Sequence, residues 1–163
     1  MIVKGQQHFP YKAANVFSAI GAPHHIEEKQ RFLGSRNIDI RQCEQTDSAL
    51  DLKIVREVPA EAPAMLKKFI SEWNRVTQEE HWRENAGEYH AQVKVDIQGV
   101  PVSINGEMRL YAEGEGSVHE VTLNFECRVP LVGKKLAEFV AAKSQEAMQN
   151  EFAFVADYLR ANL

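Results

Sequence analysis

Between Tyr89 and Val129 apolar side chains return at every second position in three runs: Tyr89, Ala91, Val93, Val95, Ile97; Val102, Ile104, Gly106, Met108, Leu110; and Val121, Leu123, Phe125, Cys127, Val129. Such alternation predicts strands with one buried face. The intervening positions are mostly polar, among them His90, Lys94, Asn105, Arg109, Thr122 and Glu126. One face of the predicted sheet therefore meets water and the other has to be covered. Gln98-Gly99 and Glu113-Gly114-Glu115-Gly116 supply the turns of sequential hairpins.

Upstream the pattern is less regular. Residues 2–9 form a candidate strand that ends at Phe9-Pro10. Ala13, Val16, Phe17 and Ile20 before Gly21 predict a short helix, and a second spans Pro23 to Leu33, with Ile26, Phe32 and Leu33 apolar and Gly34 as its stop. Ile38 and Ile40 mark one strand; Leu50, Leu52, Ile54 and Val58 mark the next, across a Thr46-Asp47-Ser48 turn. Prolines 59 and 63 break the pattern, and residues 64–70 suit a turn or two of helix. The strand that follows contains Val76 and Trp82. Trp73 has the opposite parity to Trp82, so a bulge or a late strand start is expected there.

After Pro130-Leu131-Val132-Gly133-Lys134-Lys135 the period lengthens to that of a helix and holds to about Leu159. At 100° per residue Leu136, Val140, Ala147, Phe154 and Tyr158 fall within about 40° of one another, with Met148, Phe152, Val155 and Leu159 further round the arc. Lys135, Glu138, Gln145, Glu146, Gln149, Asp157 and Arg160 occupy the opposite side. This helix is the cover for the sheet. Ser144 and Glu151 lie in the middle of its apolar arc, two turns or roughly 10 Å apart. A buried carboxylate needs a partner or water, and an interior polar pair of this kind suits a partly hydrated cavity.

A chain of 163 residues suits one domain over 1–163, large enough to bury roughly two thirds of its unfolded surface without staples. The net charge of −4 comes from interspersed acids and bases, with no basic stripe or polybasic tract. That argues against nucleic acid as a partner. The start, Met1 to His8, has no apolar core of a leader, and no run approaches the 18 or so apolar residues of a membrane span. A cytoplasmic protein without integral membrane association is expected. Cys43 and Cys127 are far apart and outside any CxxC arrangement, which fits a reduced compartment and two inert thiols. The sequence does not speak to oligomeric state.

The element order, with Pro10 and Val16-Phe17 at the first helix, Gly99-Val100-Pro101-Val102 and Gly106 in the late hairpin, and Val129 to Leu136 entering the last helix, resembles the START-like, helix-grip (SRPBCC) superfamily. That superfamily includes birch-pollen-allergen and polyketide cyclase proteins, and the likeness is to a bacterial branch of unknown function. The resemblance covers essentially the whole chain. It implies an α+β helix-grip fold: a curved antiparallel sheet of about seven strands, two short N-terminal helices and one long C-terminal helix. It also implies a deep hydrophobic cavity between that helix and the sheet. It carries over no catalytic residue, because members range from lipid carriers to cyclases to chaperone activators.

The residues themselves offer little catalytic chemistry. His24-His25 lacks a third ligand at metal spacing and reads as a solvated helix start; His8, His81, His90 and His119 are scattered. No serine sits in a nucleophile elbow, and no metal or other cofactor is expected. Glu79-Glu80 reads as a solvated pair, with an inward Glu80 as the sharper option because it shares the parity of Trp82. Gln42 and Arg56 have concave-face parity. Arg56 reads as a side chain snorkelling at the cavity rim; the alternative pairs it with Glu151 inside, orienting a polar head group.

The candidate ligand-binding set is therefore Glu151, Ser144 and Arg56 for polar recognition, with Trp82, Tyr89, Met108, Phe125, Val140, Met148 and Phe154 as wall. Three classes of function remain open. The leading one is non-catalytic binding or carriage of a small hydrophobic or lipid-like molecule. The others are a cyclase- or hydrolase-type enzyme using a cavity carboxylate, and an interaction module whose core is filled by side chains.

Overall fold

The computed structural model describes residues 1–163. In chain order the elements are β1 (Ile2–Phe9), α1 (Ala13–Ile20), α2 (Pro23–Phe32), β2 (Arg36–Gln45), β3 (Ala49–Pro59), a 3₁₀ turn at Ala64–Leu66, β4 (Trp73–Asn85), β5 (Glu88–Ile97), β6 (Ser103–Glu113), β7 (Gly116–Glu126) and α3 (Gly133–Asn162). The seven strands make one antiparallel sheet in the order β1-β7-β6-β5-β4-β3-β2. Consecutive strands pair as hairpins from β2 to β7, and β1 closes on β7. This is the α+β helix-grip architecture that the alternation and the final helical arc predict.

Each helix forms where its apolar stripe can be buried. Val16 and Phe17 of α1 and Ile26 of α2 are at most 2% exposed. Pro23 opens α2 at a position where its missing N–H has no helical acceptor to lose. The 30 residues of α3 span about 45 Å, enough to cross the whole sheet. Leu136, Val140, Met148, Val155 and Leu159 all face the interior and are buried.

β6 and β7 approach closely at one glycine. A Cβ at Gly106 would lodge against the Thr122 carbonyl and the Leu123 side chain, so glycine is what lets the two strands come this near. A Cβ at Gly5 would press on Met148 and Phe152; there the edge strand β1 comes close beneath α3.

The structure corrects two local expectations. β3 and β4 pair without a break from Pro59 opposite Trp73 to Ala49 opposite Arg83, so no bulge or late start separates the tryptophans. Trp73 simply faces outward, with the Arg36 guanidinium 3.8 Å over its ring. The register shifts instead in β2, between Arg36 and Asp39 and again between Ile40 and Gln42. The second shift reverses the parity: Gln42 stands opposite the outward Lys53 and Cys43 opposite the inward Leu52, so Gln42 does not reach the concave face. Of the turn or two of helix expected in residues 64–70, the structure has a single 3₁₀ turn.

A polar-lined cavity between the last helix and the sheet

The concave face of the sheet, α2 and α3 enclose a cavity of about 270 Å³, and 25 of its 38 lining residues are hydrophobic. The apolar wall is supplied by alternate strand positions such as Leu52, Ile54, Val93, Ile104, Met108 and Val121, and by Val140, Met148 and Val155 of α3. Trp82 of the wall joins an aromatic cluster: Phe17 stacks on Tyr89 with ring centroids 4.2 Å apart and meets Trp82 edge-on at 6.0 Å.

Seven of the ten residues proposed from sequence border this space: Glu151, Ser144, Arg56, Trp82, Met108, Val140 and Met148. Tyr89, Phe125 and Phe154 do not. Tyr89 belongs to the aromatic cluster with Phe17, Phe125 is a core residue with 1% exposure, and Phe154 packs outside the cavity against His25, Phe32 and Tyr158. On a helix with a wide apolar arc, the flank at Phe154 meets α2 and not the sheet, which a helical projection alone does not separate.

The polar side of the cavity is a connected set of charges. Lys29 Nζ on α2 donates to Glu151 Oε1 on α3 at 2.8 Å. Along β4 the inward positions carry Gln78, Glu80 and Trp82. Arg56 Nη2 donates to Gln78 Oε1 at 3.0 Å, Gln78 Nε2 to one oxygen of Glu80 at 2.6 Å, and Trp82 Nε1 to the other at 3.0 Å. Two expectations are corrected here. Glu80 is not one of a solvated pair but an inward acceptor, and Arg56 is inside the cavity without pairing to Glu151, which Lys29 already holds. The Arg56 Nε and Nη1 atoms are shut off from solvent and have no partner.

Burial and mutual contact set the protonation states. Burial alone would push Glu151 up and Lys29 down; their contact reverses both, holding the carboxyl below its usual range and the ammonium above its own. Burial lowers Arg56 to about 10, partly offset by Glu151 and Glu80, so the guanidinium stays charged at neutral pH.

His119 adds a neutral group. Burial lowers it to about 4 against a partial opposing pull from Glu151, and its Nε2 has no partner. Its β1 neighbour in register is Gln7, whose Nε2 donates to the Phe152 carbonyl at 2.7 Å while its Oε1 is unmet. His25, expected to be solvated, is wholly buried; its Nδ1 donates to the Ile20 carbonyl at 3.0 Å, and burial lowers it to about 4. His24 alone is exposed, and its Nε2 lies 2.6 Å from the Tyr158 hydroxyl.

Sequence reasoning passed over Lys29, Gln78 and His119. Each carried a signal. Lys29 lies on the helix face between Ile26 and Leu33, Gln78 shares the parity of Glu80 and Trp82, and His119 shares that of Val121 and Phe125. No group of three or more His, Cys, Asp or Glu side chains is arranged to hold a metal ion, and no helix is long and apolar enough to cross a membrane.

A family model described as "protein of unknown function (DUF2505)" matches residues 4–159. The chain belongs to this family. No curated protein matches it. Among solved structures, the TTHA0849 protein from Thermus thermophilus superposes with a TM-score of 0.67 at 16% identity, covering 99% of each chain. The STAR-related lipid transfer protein from Xanthomonas axonopodis gives 0.65 at 11% identity over 98% of this chain and 85% of its own. The Zhui aromatase/cyclase from a Streptomyces species gives 0.63 at 12% identity over 100% and 96%. The DUF2505 chain thus shares the helix-grip fold of these structures. At these identities the likeness speaks to the fold.

Proposed function

We propose that this protein binds or carries a small hydrophobic, lipid-like molecule in the cavity under α3, without transforming it. The observation that carries this reading is an apolar volume of about 270 Å³ that side chains leave open, in a fold whose interior otherwise packs closely. That volume counts against an interaction module with a filled core. The lipid-transfer name of the Xanthomonas relative points the same way. Glu151, Ser144 and Arg56, with Lys29 and Glu80, would orient a polar end of the guest, and Trp82, Met108, Val140 and Met148 would contact its apolar body.

Native mass spectrometry of protein purified from its host tests this. A lipid-sized adduct is expected, and a Ser144→Phe variant, which fills the cavity from α3, should lose it while keeping its circular dichroism. A wild type that carries no adduct and takes up no added amphiphile would remove the reading.

A second reading, cyclase- or hydrolase-type chemistry, draws on His119: a neutral imidazole with a free Nε2 facing an apolar pocket has the character of a general base. The aromatase/cyclase name of the Streptomyces relative is consistent with it. A bound amphiphile recovered chemically unchanged after prolonged incubation, from wild type and His119→Gln alike, would exclude it.

A further inference from the structure

The cavity contains donors without acceptors at one place. Arg56 lines it from β3, and of its three nitrogens only Nη2 has a partner, the neutral amide of Gln78. Neither neighbouring carboxylate accepts a hydrogen bond from Arg56. Glu151 accepts from Lys29, and both oxygens of Glu80 accept from Gln78 and Trp82. A guanidinium has five donors in a fixed plane and no acceptor, so its unmet need is for acceptor oxygens alone.

From this we infer that the ligand is a medium-chain carboxylate whose head group is received by Arg56. The inference rests on the apolar-ligand reading above and names its ligand class. A carboxylate is acceptor-only and offers two oxygens to the two unmet nitrogens of the guanidinium, whereas a hydroxyl offers one. Charge favours one negative charge over two. The wall holds three cations, Lys29, Arg56 and Lys143, against two carboxylates, Glu80 and Glu151, so a carboxylate balances the wall and a phosphate dianion would leave one excess negative charge.

Volume sets the tail. At roughly 30 Å³ for each water-sized group, about 270 Å³ holds on the order of nine or ten non-hydrogen atoms. Unlike the Arg56 end, the rest of the wall along Ile54, Val93, Ile104 and Val121 is hydrophobic, which suits an unbranched or cyclic hydrocarbon.

Isothermal titration of the intact protein with octanoate and with 1-octanol tests the inference. Wild type should bind octanoate about ten- to a hundred-fold more tightly than octanol, the range of one hydrogen bond to a charged group. Arg56→Gln should abolish that preference, weakening octanoate far more than octanol. Arg56→Lys, which keeps the charge and loses the planar fork, should retain a reduced preference and serves if the Gln variant does not fold. Equal affinities for the two probes in wild type, or an octanoate preference unchanged in the variants, would overturn the carboxylate assignment while leaving apolar binding intact. If neither probe binds wild type, the apolar-ligand reading fails and this inference with it.

Discussion

Lys29 and Glu151 meet at 2.8 Å although 122 positions separate them in the chain, and their contact joins α2 to α3 across the cavity. The pair borders the cavity without being sealed: 15% of the Lys29 side chain and 36% of the Glu151 side chain remain accessible. Removing one partner strands the other charge. Glu151→Gln or Lys29→Met should each lower stability to urea by about 1–3 kcal/mol, below the range for a fully buried pair. The double variant Lys29→Met/Glu151→Leu should be no less stable than the worse single variant. Additive losses in that cycle would mean that the two charges do not act as a pair.

Stability should fall as pH drops from about 6.5 to about 4. His25 and His119 each titrate near 4 in the fold and near 6.5 in an unfolded chain. Between those values the unfolded chain binds more protons, so the slope of stability against pH is positive there, worth up to about 3 kcal/mol for each histidine. Glu151 adds a loss of the same sign at lower pH, as it protonates. Lys29 acts on the alkaline side, where its contribution is lost as pH rises past the usual lysine range. Urea midpoints between pH 4 and 8 check this, and His119→Gln should flatten part of the slope.

Aromatic truncations should separate core from flank. Phe17 is 2% exposed and stacked on Tyr89, so Phe17→Ala should cost about 3–5 kcal/mol. Phe154 is half-buried against α2, and Phe154→Ala should cost only about 1–2 kcal/mol. Equal losses in thermal unfolding would place Phe154 in the core after all.

Gly106 owes its place to the Thr122 carbonyl beside it. Backbone cannot yield as a flexible side chain can, so Gly106→Ala should destabilise by about 1–3 kcal/mol. Gly5→Ala, whose added methyl meets the mobile ends of Met148 and Phe152, should be milder. Comparison of the two midpoints in urea decides it.

Local periodicity made the late strands and α3 legible, because residues 89–129 and 136–159 each keep one period over many positions. It also put Ser144 and Glu151 on the inner face of α3. What it could not show was register. The shift between Ile40 and Gln42 turned the rest of β2 over, taking Gln42 out and bringing Cys43 in. Partners were equally hidden: Glu151 is neutralised from α2, and nothing local to either residue says which distant cation arrives. The inward Glu80 became intelligible only through Gln78 and Trp82, two strand positions away on either side, which share its face and occupy its oxygens. A charged residue on an apolar parity was the readable sign, and reading such residues as solvated or at the rim undervalued Arg56, Glu80 and His119 together.

Trp82 offers a direct view of cavity filling. Its ring is 1% exposed, borders the cavity and donates to Glu80 at 3.0 Å, so a guest that changes the surroundings of Glu80 should change its emission. Trp73 faces the outer side of the sheet beneath Arg36 and should be indifferent to the same guest. With no other tryptophan in the chain, the two signals separate cleanly. Titration with 1-octanol should alter the fluorescence of a Trp73→Phe variant with saturation and leave that of a Trp82→Phe variant flat. A saturable change that survives in Trp82→Phe would put the bound molecule on the outer surface of the sheet and not under α3.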